Sequence, residues 1–211
     1  CHNIRILFTD GEEAAGTAGI TGQGAYALGS GLRALNMTDT DVYVFDACGR
    51  GDTLILSTAG LSGKRGSPVR ERLGPFLAGL HDRAAEIARK AAPGAWMTLR
   101  TPYSDNAGFL AAGIAAQVIT ILPHGEAERL LACLSGDAGT DGAKGFSLTE
   151  LETAITTNRP VKDGSPLALA LPETWRLMHT DADTSSTLTA PAFILLSRFL
   201  NVLAESREPA L

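Results

Sequence analysis

Short apolar runs rich in strand formers alternate along this chain with longer stretches whose apolar residues recur at helical spacing. That alternation constrains the fold more than any other feature. The runs fall at residues 3–9, 42–47, 53–58, 96–99 and 117–122, with a shorter one at 174–178. Residues 25–36, 69–92, 147–157 and 190–205 read as helices. The longest carries Val69, Leu73, Phe76, Leu77, Leu80, Ala84, Ile87 and Ala88 on one face and stops at Pro93-Gly94. Ser147, with Glu150 three residues on, forms a capping-box pattern. Residues 101–107, 134–145 and 179–186 read as polar loops. This order predicts an α/β fold: a mostly parallel (mixed) central sheet with helices on both faces. No repeat or linker interrupts the 211 residues, so a single domain over 1–211 is expected.

Composition narrows the function classes. At 45% hydrophobic and 19% charged, the chain has ordinary globular make-up. Its net charge is −5 and its Lys and Arg residues are scattered singly, so no basic stripe marks a nucleic-acid surface. No apolar run approaches the roughly 18 residues of a membrane span. Cys1, Cys48 and Cys133 show no CxxC spacing and fit no closed disulfide set, which leaves the compartment open.

In open parallel sheets, ligands bind beyond the carboxyl ends of the strands. Three groups are expected there: Glu12-Glu13 after the first run, Asp46 at the end of the second, and His179 after the last. Each alone is ordinary, since an acidic pair is most often a solvated turn, a strand-end Asp often a cap, and a lone His a surface or core residue. But Asp46 lies in Tyr-Val-Phe-Asp-Ala-Cys-Gly, where a buried strand holds a charge only with a partner. A cation at the carboxyl edge would satisfy all three positions. Carboxylate and imidazole donors suit zinc, and a further, non-ligating carboxylate suits a base that activates water.

Four segments carry a family resemblance. Ile4-Arg5-Ile6-Leu7-Phe8-Thr9-Asp10-Gly11-Glu12-Glu13, with Gly29-Ser30 downstream, resembles the strand and acidic pair of metallopeptidase family twenty-eight. These are the zinc aminopeptidases related to glutamate carboxypeptidase and glutaminyl cyclase. Asp46-Ala47-Cys48-Gly49-Arg50 is similar to the family's Asp-x-x-Gly-Arg. Ser104-Asp105-Asn106, Phe109 and Gly113-Ile114 resemble its Ser-Asp-His-x-x-Phe-x-x-x-Gly-Ile-Pro. His179-Thr180-Asp181-Ala182-Asp183-Thr184 looks like its His-Thr-x-x-Asp-Thr. The resemblance implies a zinc-exopeptidase (phosphorylase/hydrolase-like) fold and a zinc-dependent exopeptidase, foremost an aminopeptidase, cleaving peptide or aminoacyl substrates through a metal-activated water. It implies Glu12 as general base, Glu13 and His179 as ligands of one zinc, Asp46 as a ligand of the other, and two zincs per complete site. It places Ser104, Asp105 and Asn106 at the substrate rim, with the alternative that Asp105 holds the loop by capping backbone amides, and it has Asp183 orienting His179 or capping its turn rather than binding metal.

The pattern departs in three places. The family's His-x-Asp pair, expected upstream of the acidic pair, is absent, so an N-terminal segment supplying those ligands is expected to be missing. His81-Asp82 has the wrong order and reads as a solvated pair, and His124 matches no motif. Asn106 and Ala115 stand where the family often has His and Pro. Two alternatives stay open: a glutaminyl-cyclase-like acyltransferase with a single zinc, and a non-catalytic member or fragment that kept the fold.

Overall fold

In the computed structural model, residues 4–12, 19–61, 68–135, 146, 148–157, 161–162 and 164–206 are described. Four strands form the sheet: β1 (Val42–Phe45), β2 (Thr53–Ser57), β3 (Trp96–Leu99) and β4 (Ala116–Leu122). Their order is β1-β4-β2-β3. β1 pairs with β4 and β2 with β3 in parallel, whereas β2 runs antiparallel to β4, with Leu54 opposite Ile121 and Leu56 opposite Ile119. The sheet is therefore mixed. The antiparallel step arises because the loop from β1 is short: Asp52 N–H binds the Leu122 carbonyl at 3.2 Å, so β2 starts where β4 ends.

Eight α-helices flank the strands among the described residues: α1 (Gly24–Ala34), α2 (Pro68–Ala91), α3 (Asn106–Ala112), α4 (His124–Ser135), α5 (Leu148–Thr157), α6 (Pro166–Ala170), α7 (Glu173–Leu177) and α8 (Ala190–Glu205). One sheet face presents Leu54, Leu56, Ile119 and Ile121, which pack on Ala84, Ile87, Ala88 and Ala91 of α2 and on Leu195, Phe199 and Leu203 of α8. Phe199 meets Tyr43 and Phe45 of β1 edge-on, with ring centroids 6.4 and 5.9 Å apart. The other face offers Ile55, Leu99 and Leu122 to α4, α6 and α7, and Val44, Ala116 and Val118 to α1 and α3. Period-2 side chains thus feed two layers, and helices cover both faces as the alternation predicts.

Helices α1 and α3 lie in backbone contact. A Cβ at Gly108 would sit 2.7 Å from the Tyr26 nitrogen and 3.0 Å from Gln23 Oε1, so only glycine lets α3 come this close.

Three expectations are corrected. The run at 3–9 forms no strand over its described residues, and Ile6, Leu7 and Phe8 are 74, 59 and 98% exposed. Strand propensity needs a neighbouring ladder to express itself, and among the described residues none is paired with this run. The run at 174–178 is helical instead, spanning α7. Trp175 and Arg176 N–H groups both bind the Pro172 carbonyl at 3.1 Å, and Glu173 favours the first turn. The loop at 101–107 ends in α3, whose buried Phe109 and Leu110 make a helix too short to show periodicity. Helix α4, starting directly at His124, is a further element that the sequence pattern does not predict. Most of the 134–145 loop and Ser147 lie outside the described residues, though the helix that Ser147 would cap is present as α5.

Candidate functional site

The acidic turn after residue 9 is held by side chains and single backbone bonds rather than by a strand. Thr9 Oγ1 donates to Asp105 Oδ2 in a short hydrogen bond. The Asp10 carbonyl accepts the Gly24 N–H at 2.9 Å, at the first residue of α1. The Glu12 carbonyl accepts from Gln23 Nε2, also at 2.9 Å. Residues 9–12 therefore thread the notch where α1 and α3 begin, with the Glu12 side chain exposed. Glu13 lies outside the described residues.

Asp46 follows β1 and is half-buried, just beyond the strand rather than within it. Its N–H binds the Ile119 carbonyl at 3.2 Å. The next residue, Ala47, has φ 50°, a left-handed conformation that costs a residue with a Cβ about 1 kcal/mol or more. Thr120 Oγ1 holds it by donating to the Ala47 carbonyl at 3.1 Å. The Cys48 thiol lies near the Asp46 and Ile119 carbonyls, at 3.4 and 3.3 Å. Burial, and secondly the Asp46 charge, push its proton affinity far above that of a free thiol, so Cys48 is a protonated donor rather than a nucleophile.

Asp105 joins the two segments. Burial raises its pKa above the ordinary carboxylate value; the Thr9 hydrogen bond opposes that, and the charges of Asp46 and Asp10 add to it. Asp105 thus senses charges from two distant stretches of sequence. Its neighbours behave differently. Ser104 and Asn106 are both buried, and Asn106 Oδ1 accepts the Ser104 N–H at 2.9 Å, which closes the turn into α3. Of the three residues expected at a substrate rim, Asp105 alone is partly open to solvent. Gln23 Oε1, Asp105 Oδ1 and Asn106 Nδ2 are buried without a hydrogen-bond partner among the described residues. These are groups that an incoming polar ligand or water can satisfy.

His179 is exposed, just past α7, and has φ 61°. Of the three described non-glycine residues at positive φ, Ala47 and His179 thus both fall at or beside expected site positions. Strain of this kind concentrates where a side chain must be aimed. The preceding Met178 and Ala47 border the same apolar cluster. Downstream, Thr189 N–H binds the Gly49 carbonyl at 2.9 Å and Thr189 Oγ1 accepts the Gly51 N–H at 2.9 Å.

Asp46 and His179 have the donor chemistry zinc prefers. Among the described residues no three His, Cys, Asp or Glu side chains gather closely enough to hold a metal ion, and Glu13, the third expected ligand, lies outside them. His81 corrects another expectation: it is partly buried, with Nδ1 3.3 Å from Gln117 Oε1, rather than solvated. Thr9, Asp10 and Gln23 also form the site, although sequence reasoning did not single them out. The first two are visible only as the tail of the motif, and Gln23 carries no local signal. No protein-family model, curated protein or solved structure matches the chain.

Proposed function

We propose that this chain carries the catalytic part of a zinc-dependent exopeptidase, an aminopeptidase acting on peptide or aminoacyl substrates. The observation that carries the proposal is the Thr9–Asp105 hydrogen bond, which joins the acidic turn to the start of α3, beside the effect of the Asp46 and Asp10 charges on Asp105. Two segments 96 positions apart, each resembling part of one family's motif set, meet in that bond. A carboxylate-lined notch favours an ammonium-bearing end of a substrate over a carboxylate-bearing one.

In this reading Glu12 takes a proton from the attacking water and returns it to the leaving amine. Its exposed side chain, on a backbone fixed by Gln23, leaves room for that transfer. Asp105 receives the polar end of the substrate. Glu13, Asp46 and His179 would hold zinc; bound there, the metal would polarise the scissile carbonyl.

The test is an assay of aminoacyl anilide hydrolysis by the protein. Activity should vanish on chelation and return with zinc. Full activity after verified metal removal would refute the metallopeptidase reading.

A further inference from the structure

We propose that Arg50 is a positioning residue that fixes the segment carrying His179 over the loop carrying Asp46. The functional weight of this claim rests on reading Asp46 and His179 as parts of one site.

The guanidinium of Arg50 reaches three groups. Nη1 donates to Glu126 Oε1 at 3.3 Å and to Thr174 Oγ1 at 3.1 Å, and Nη2 donates to Glu173 Oε2 at 2.6 Å. Glu126 lies on α4, with its side chain only 8% exposed. Its second oxygen accepts the Thr174 N–H at 3.4 Å and the Thr174 hydroxyl at 3.3 Å. Arg50 thus ties the first turn of α7 to the loop that leaves β1, through a planar fork that a lysine cannot reproduce. His179 follows two residues after α7 ends.

The same loop grips the far end of the segment. Thr189 N–H binds the Gly49 carbonyl, and Thr189 Oγ1 takes the Gly51 N–H. Residues 178–188 therefore span between two anchors, both on Gly49-Arg50-Gly51. Within the span the backbone bonds are local ones, such as Thr180 N–H to the Leu177 carbonyl and Asp183 N–H to the Thr180 carbonyl. Such bonds hold a turn's shape without placing the turn on the body of the protein. Met178 packs on the apolar cluster at the start of the span, and the two anchors that bracket it are both set by the loop that bears Asp46. The arginine of Asp-x-x-Gly-Arg thereby acquires a physical role, because moving the Asp46 loop moves His179 with it.

Hydrogen exchange on the intact chain tests the clamp without reference to catalysis. Glu173→Gln removes the charge of the α7 anchor and leaves buried Glu126 paired with Arg50, so the fold is spared. Amides of Thr180, Asp183, Thr187 and Leu188 should exchange about two- to fivefold faster, the scale of one partly exposed ion pair. Amides of Leu54, Ile55, Ile119 and Ile121 should be unchanged. Adding Thr189→Val should accelerate the same span further. Unchanged exchange in the span, or equal acceleration in the sheet, would overturn the proposal. A local effect in a protein that shows no metal-dependent peptidase activity would leave the clamp standing and sink only the peptidase reading.

Discussion

Thr9 Oγ1 donates a hydrogen bond to Asp105 Oδ2 across 96 positions of sequence, and this bond attaches the acidic turn to the start of α3. It bonds to the ionised carboxyl, whereas burial and the Asp46 and Asp10 charges favour the protonated form and prevail.

The raised pKa has a stability consequence. The folded state holds the Asp105 proton more tightly than the unfolded chain does. Stability is therefore lost as pH rises from the ordinary value of 3.8 through the raised one, and the deficit is complete above it. Asp105→Asn should raise the melting temperature at pH 7, and the gain should disappear below about pH 4. Thermal unfolding of both proteins across pH 3–7 checks this; a gain that grows toward low pH would reverse the assignment.

Glu12 and Glu13 should separate by role. If the peptidase proposal holds, Glu12→Gln is expected to reduce turnover by about 10²–10⁴-fold with metal content intact. Glu13→Gln should lower bound zinc instead. Metal analysis beside kinetics decides, and the opposite pattern would exchange the two assignments.

Phe8 distinguishes a strand from the structure observed. Were the run at 3–9 a core strand, Phe8→Ser would cost several kcal/mol, as large-to-small changes in a core do. At 98% exposure the expected change is within about 0.5 kcal/mol. Urea unfolding reads the difference directly, and a loss above about 2 kcal/mol would mean that Phe8 is buried in solution.

Gly51 has φ 119°, and a Cβ there would stand 2.2 Å from the Leu122 carbonyl carbon. Gly51→Ala should therefore destabilise the protein by at least about 1–3 kcal/mol through backbone strain alone. The same change at Gly94, also at positive φ but with open space around it, should cost less. Equal losses at the two positions would show that the contact with Leu122 contributes nothing.

Local pattern by itself determined much of the framework. The amphipathic stripe from Val69, the buried runs at 42–47, 53–58, 96–99 and 117–122, and the closing helix at 190–205 all reappear as elements, because each buries enough apolar surface at one period to overrule local alternatives. The motifs single out Asp46, Asp105 and His179 in the sequence. What surrounds them was decided only in three dimensions. The run at 3–9 has strand composition but no ladder to join, and 174–178 looks extended until Pro172 and Glu126 start a helix there. The Thr9–Asp105 bond and the Arg50 ion pairs with Glu126 and Glu173 depend on which helices pack side by side. A hydrogen bond between residues 96 or 123 positions apart leaves no period in the sequence, because its energy comes from geometry that exists only after the core has formed.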